Sequence, residues 1–293
     1  MTAPLPQIGS SSGEGVAVAL SSAFFGFYAH TGFMAELNKA GIQPAQVAGT
    51  SSGAITALLC GTGIRGDSLV DFVMQPGMRT CFWDWLAPLR FPGVATCMYS
   101  SGILSGANAV KYLRSHLGNP RLEEMRDPRI QFAVANLTRR DCEIVDSGDA
   151  VAFAVASSAI PGLFCNQIIN GDRWCDGGVA MHVPFSHWLE DDSIHTIILH
   201  RIEHERGTEL VTKWPTLSTG FAISHQIISE TIFQLRFADA KRSGKRIIDI
   251  VTKTPHPRPF PNKQRPSLIE AGRSSGILAA RELSHAAAAQ TMA

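Results

Sequence analysis

Two short stretches of this chain carry side chains able to do covalent chemistry on an ester. The first is Gly49-Thr50-Ser51-Ser52-Gly53, a G-x-S-x-G pattern. In such a pattern the chain turns sharply from a strand into a helix and lifts the serine out at the bend. Gly49 and Gly53 leave room for a turn that side chains would crowd. Ser51 then stands at a helix N-terminus, where unpaired N–H groups and the helix dipole favour developing negative charge. A Gly/Ser-rich surface turn spells the same pattern, but the flanks favour the elbow. An apolar stretch from Ile42 to Ala48, broken by Gln43, Pro44 and Gln46, precedes it, and an alanine-rich apolar run from Ala54 to Cys60 follows. The second stretch is Asp176-Gly177-Gly178. Alone it reads as a plain turn. Beside Ser51 it offers what a serine hydroxyl lacks, a base to accept its proton. Gly177 and Gly178 let the backbone pack closely while the carboxylate points out of the turn.

The elements that must position these residues are legible in outline. Gly15 to Ser21 reads as a short buried strand, and a loop with Phe24, Phe25 and Phe27 leads to a helix from Tyr28 to Ala40, closed by Gly41. With the strand before Gly49 and the helix after Ser52, this makes a β-α-β-α unit. Such alternation implies an α/β fold with a mostly parallel sheet covered by helices on both faces, and ligands beyond the carboxyl ends of the strands. Residues 76–104 hold Pro, Gly and large aromatics without clean periodicity, and read as an irregular excursion over the mouth of the site. Beyond them the sequence predicts a helix from Ala107 to Leu117 and strands at Ile130–Asn136 and Ile194–His200, with a small-residue helix, Ala150–Ala159, between those strands. A long helix (Ala222–Ala240), a strand (Arg246–Thr252), a proline-rich loop (Pro255–Pro266) and a helix from Ser267 or Leu268 toward Leu283 complete it. The expected organisation is a flexible N-terminus over residues 1–14, one domain over 15–285, and a fraying alanine-rich C-terminus over 286–293.

Composition narrows the class. Apolar residues make up 45% of the 293, and the formal net charge is +1, which suits a soluble globular enzyme with no electrostatic pull toward nucleic acid. The polar stretch Met1 to Ser12 lacks the features of a secretory signal, and no segment approaches the ~18 uninterrupted apolar residues of a spanning helix. The expected location is the cytoplasm. There the six scattered cysteines (Cys60, Cys81, Cys97, Cys142, Cys165, Cys175) read as free thiols, a Cys165–Cys175 bridge being the alternative. Neither a C-x-x-C nor a metal-like cluster occurs, so no metal or other cofactor is expected.

In this order, three motifs resemble those of patatin-like acyl hydrolases: Gly49 to Ala54, the run Ala-Ser-Ser-Ala-Ile-Pro-Gly-Leu-Phe ending at Phe164, and Asp176-Gly177-Gly178. Weaker echoes are Ser101 to Gly106 and Ala271-Gly272, and the resemblance covers about Val16 to Gly276. It implies a three-layer α/β/α fold and a Ser–Asp dyad, with Ser51 as nucleophile and Asp176 as base. A carboxylate of ordinary pKa, about 4, is a weak base toward a serine. Desolvation must raise it, with Trp174 and Cys175 as apolar cover, so Asp176 is expected in a mostly dry cleft within hydrogen-bond reach of Ser51.

One segment departs from the family pattern. The family's glycine-rich oxyanion loop is replaced by Ser22-Ala23-Phe24-Phe25-Gly26-Phe27, and its basic position falls on Gly26. Backbone N–H donors survive any side chain. Ala23, Phe24 and Ser52 are therefore the expected oxyanion donors, at a cost of about 1–2 kcal/mol wherever a non-glycine residue must take φ > 0. Phe27 and Phe33 read as core, whereas Phe24 and Phe25 suit core or an acyl-chain pocket equally.

Histidines after Asp176 (His182, His187, His195, His200, His204, His225, His256, His285) could form a triad in α/β-hydrolase order, but none sits in a histidine motif, and His30 reads as packed against the sheet. Trp83 and Trp85 suit a lid or subunit contact better than a membrane interface. Lys241, Arg242, Lys245 and Arg246 read as a solvated face. The activity implied is hydrolysis of a fatty-acyl ester of a lipid, with peripheral membrane contact at most. The alternatives are an acyltransferase using the same acyl-serine, and a catalytically silent binding protein.

Overall fold

The computed structural model describes residues 15–204, 217–255 and 264–291. The expected flexible N-terminus, residues 256–263 of the proline-rich loop, His256, and the last two residues lie outside the described residues. The chain begins β1 (Val16–Leu20), α1 (Phe27–Lys39), β2 (Gln46–Thr50) and α2 (Ser52–Gly61). Three short helices follow: α3 (Asp67–Met74), α4 (Pro76–Thr80) and α5 (Ala87–Ala95). Then come β3 (Gly102–Leu104), α6 (Ala107–Leu117), β4 (Arg129–Asn136), β5 (Asp141–Val145) and α7 (Ala150–Ser157). The rest comprises β6 (Gly162–Phe164), β7 (Gln167–Ile169), β8 (Asp172–Asp176), β9 (Thr196–His204), α8 (Leu217–Arg242), β10 (Arg246–Thr254) and α9 (Arg265–Thr291).

The central sheet runs β10-β9-β1-β2-β4-β8-β7, with β5 also paired to β4. From β10 to β4 all neighbours are parallel, and β5, β7 and β8 add an antiparallel extension. Side chains alternate across a strand, and β1 shows what covers each face. Val16, Val18 and Leu20 enter one core with Phe33, Leu58, Val151 and Ile269 from α1, α2, α7 and α9. Ala17 and Ala19 enter the other, under Phe185, Trp188 and Phe233 of α8. The result is the expected α/β architecture, a mostly parallel sheet covered on both faces. Burial on both faces explains why β1 reads Val-Ala-Val-Ala-Leu with no polar alternation. On the first face α1 lies almost backbone to backbone on α9. A Cβ on Gly272 would stand 1.9 Å from the Ala29 carbonyl oxygen, and one on Gly32 would stand 2.3 Å from that of Ile269.

The differences from the sequence expectation fall where periodicity was weak. Residues 76–104 are not irregular throughout: they hold α4, α5 and β3. Pro92 inside α5 and five-residue α4 blur any helical period there. The strands β5, β7 and β8 form antiparallel pairs, three to five residues long, too short and mixed in character to carry a clear apolar signal. All six cysteines are free, including Cys165 and Cys175. Among the described residues no helix is long and apolar enough to cross a membrane.

Candidate active site

Strand β4 fixes the spacing of the two reactive side chains. It pairs in parallel with β2, setting Thr50 opposite Ala133, and antiparallel with β8, setting Asp176 opposite Val134. Ser51 leaves the end of β2 and Asp176 the end of β8, so two adjacent residues of β4 bring them together. A Cβ on Gly177 would stand 2.2 Å from the Ala133 carbonyl oxygen, so only glycine lets this turn lie flat on β4. The Thr50 hydroxyl donates to the Met181 carbonyl at 2.9 Å, tying the elbow to the chain just beyond the aspartate.

Ser51 occupies φ 56°, ψ −118°, a conformation costing a non-glycine residue about 1–3 kcal/mol. Its own backbone is held from two sides. The Ser51 N–H donates to the Ser157 hydroxyl at 2.9 Å, and that hydroxyl donates on to the Ala133 carbonyl at 2.7 Å. The Ser158 hydroxyl reaches the Ser51 carbonyl at 3.0 Å, sharing its proton with the Ala154 carbonyl at the same distance. The paired serines at the end of α7 are thus the clamp on the strained elbow, a role the sequence reading did not assign. Two hydroxyls ending an otherwise apolar, mostly buried helix were the available signal. The glycines behave as the motif requires: a Cβ on Gly49 would stand 2.3 Å from Gly53 backbone atoms, and one on Gly53 would stand 2.3 Å from the Leu20 carbonyl oxygen.

Asp176 is 2% exposed. Burial raises its pKa to about 7, against hydrogen bonds from the Ser51 hydroxyl and the Gly178 N–H that favour the ionised form. The Gly178 N–H reaches Oδ1 at 2.7 Å. Trp174 and Cys175 are buried beside it, as apolar cover. Among the described residues no histidine ring hydrogen-bonds to Ser51 or Asp176. His30 instead closes a buried network. Its Nε2–H donates to the Ser21 carbonyl at 2.9 Å, which leaves Nδ1 to accept from His200 Nδ1–H at 2.8 Å. His200 Nε2 accepts from the Thr252 hydroxyl at 2.7 Å. Burial holds His30 down at about 3, so the pair is neutral and ties β1, α1, β9 and β10 together behind the loop.

The Ser22–Phe27 loop takes the conformational cost at one residue: Phe25 has φ 54°. Gly26 has φ −63°, so its glycine is required by contact and not by torsion; a Cβ there would stand 2.7–2.9 Å from Ala23, Ser52 and Ile202 side-chain atoms. No basic side chain fits that position without displacing them. Ala23, Phe24 and Ser52 line a cavity of about 770 Å³ together with Ser51. Among the described residues their backbone N–H groups have no hydrogen-bond acceptor. Most of the other lining is apolar: Phe25, Phe27, Ile55, Phe82, Leu104, Ile160, Leu163 and Phe164. Phe24 therefore belongs to the pocket, and Phe25 and Phe27 serve both pocket and core. The basic run expected as a solvated face is so at Lys241 and Arg242, which are exposed, Arg242 beside Asp239, whereas Lys245 donates to the Asp191 and Ile194 carbonyls and Arg246 to that of Glu282.

A family model described as patatin-like phospholipase matches residues 18–187, more than half of the chain. The chain belongs to the patatin-like phospholipase family. Its matched region takes in the elbow, the clamp and the Asp-Gly-Gly turn. Among curated relatives, uncharacterized NTE family proteins of Mycobacterium tuberculosis and Mycobacterium bovis are 27% identical over 180 residues, 61% of this chain and 47% of theirs. This patatin-like chain thus spans about half the length of those relatives. Among solved structures, VipD from Legionella pneumophila aligns with a TM-score of 0.54 at 13% identity, over 92% of this chain and 67% of that one. That likeness is one of fold.

Proposed function

We propose that this chain is a serine acyl hydrolase that cleaves fatty-acyl esters of lipids through an acyl-Ser51 intermediate. The observation that carries the reading is a strained, clamped serine facing a buried carboxylate of raised pKa beside an apolar cavity. Family membership and a cavity suited to an acyl chain support a lipid substrate.

The chemistry needs no group beyond the chain and water. Ser51 Oγ attacks the ester carbonyl carbon while its proton passes to Asp176. The carbonyl electron pair moves to oxygen, which accepts hydrogen bonds from the Ala23, Phe24 and Ser52 N–H groups. Collapse expels the alcohol, which takes the proton from Asp176. Water then loses a proton to Asp176 and attacks the acyl-serine, and the second collapse returns that proton to Ser51 and releases the fatty acid. A base with pKa about 7 suits this duty better than an ordinary aspartate, because proton-transfer driving force and ionised fraction are balanced near neutrality. Missing glycines in the loop motivate the silent alternative, and N–H groups free to donate to an oxyanion argue against it.

With p-nitrophenyl butyrate as substrate, kcat/KM rises about tenfold per pH unit below pH 7 and levels above it, following ionisation of one group. A profile flat from pH 5 to 9 would remove Asp176 as the base. Adding glycerol separates the acyltransferase alternative: under hydrolysis butyrate remains the main product, and under transfer glyceryl butyrate exceeds it.

A further inference from the structure

The segment that covers the cavity exposes an unusual run of large apolar side chains. Trp85, Leu89 and Met98 are 82%, 70% and 80% exposed, and Trp83, Phe91 and Tyr99 are more than half exposed. Scattered apolar residues on a surface need no explanation, but these six and Leu86, seven on one seventeen-residue segment, mark a contact surface. The segment is fastened at its base. Asp84 pairs with Arg90 at 2.8 Å and accepts from the Ser105 N–H and hydroxyl at 2.7 and 2.8 Å, and Arg90 also donates to the Ile103 carbonyl. These bonds hold α5 while leaving its apolar side chains outward.

Two further observations identify what this surface meets. It is continuous with the cavity, because Phe24, Trp83 and Trp85 line the cavity and are also exposed at its mouth. Whatever covers the patch is therefore in line with Ser51. It is also electrically neutral: between residues 81 and 104 the ionisable side chains of opposite charge are Asp84 and Arg90, which neutralise one another. A partner recognised by charge, such as an acidic or basic peptide or an anionic bilayer, finds no counterpart here. Trp and Tyr beside Leu, Phe and Met match the chemistry of a lipid–water interface, where amphipathic rings sit at headgroup level above buried aliphatic side chains.

We infer that residues 83–99 dock the chain on an electroneutral lipid surface and set the cavity mouth against it. This deepens the lipid-hydrolase reading by naming the surface from which substrate enters. A lipid leaving a bilayer there passes from one apolar medium to another and its acyl chain need not cross water.

The test uses phosphatidylcholine vesicles with the full chain, its Ser51→Ala form, and the double variant Leu89→Ser/Met98→Ser. Neither Leu89 nor Met98 lines the cavity. The wild type and Ser51→Ala are expected to bind equally, with affinity unchanged between 50 and 500 mM NaCl and Trp fluorescence quenched by brominated lipid. The double variant is expected to bind at least tenfold more weakly, since it removes two apolar side chains from the buried face. Its p-nitrophenyl butyrate activity is expected to match wild type. Absent vesicle binding, binding that the double variant retains, or a salt-reversible affinity for anionic vesicles alone would overturn the inference. So would a dimer that the double variant dissociates, which would make the patch a contact between copies. Because Ser51→Ala reads docking without chemistry, an inert wild type that still binds would sink the hydrolase reading and leave this one standing.

Discussion

Asp176→Asn lowers kcat for p-nitrophenyl butyrate by at least 10³-fold at pH 8 and, at the same pH, makes the protein more stable. Both effects come from one property. In the proposed mechanism the carboxylate is the base, and an amide cannot accept the Ser51 proton; general-base contributions run to about 10²–10⁴. The carboxylate is also buried, and burial lifts its pKa from the ordinary 3.8 to about 7. Between those values the folded protein holds a proton that the unfolded chain has released, so stability falls as pH rises from about 4 to 7. At 1.36 kcal/mol per pKa unit, the loss is on the order of 4 kcal/mol and complete above pH 7. Asparagine does not titrate, so the variant's advantage is absent near pH 4 and full near pH 8. Urea unfolding at the two pH values checks this. An advantage of equal size at both, or activity within tenfold of wild type, would contradict the assignment.

Gly53→Ala produces a large structural effect at the elbow. Its Cβ would stand 2.3 Å from the carbonyl oxygen of Leu20 and 2.8 Å from its carbonyl carbon, and backbone cannot swing aside as a side-chain tip can. The first turn of α2 must lift off the end of β1, taking the elbow with it. Overpacking of this kind costs about 1–3 kcal/mol and occasionally more, whereas alanine's better helix propensity returns about 0.5–1. A midpoint at least 5 °C lower in a thermal melt is expected, with esterase activity lost in the fraction still folded. An unchanged midpoint would mean that α2 is not seated on β1 as described.

How far the sequence carried can be judged at particular residues. The elbow was legible because Gly49 and Gly53 serve a steric need that the pattern itself encodes. The buried parallel strands were legible because burial on both faces writes itself as unbroken apolar runs, as in β1. Pairing Asp176 with Ser51 could not be read from spacing, since 125 positions separate them; it depends on β4, whose neighbours on either side were invisible without the sheet order. The resemblance supplied that pairing, and the register of β4 explains it. Ser157 and Ser158 were quoted as letters of a motif, but their work as a clamp depends on the end of α7 meeting the Ser51 backbone, a contact no local pattern announces. The loop from Ser22 to Phe27 was the hardest to read. Missing glycines put a conformational cost on the loop, and one left-handed phenylalanine, Phe25, bears it and lets the backbone make the turn with its donors unspent.

The most direct test of the account is the site and pH dependence of covalent capture. The full chain is treated with a fluorophosphonate and followed by intact-mass and peptide mass spectrometry, beside Ser51→Ala and Asp176→Asn. The expected result is one adduct per wild-type chain, on Ser51, forming faster as pH rises through about 7. Ser51→Ala should show no adduct and Asp176→Asn a greatly slowed one. A folded wild type that takes no adduct, or an adduct that survives Ser51→Ala, would contradict the assignment of Ser51 as the activated nucleophile.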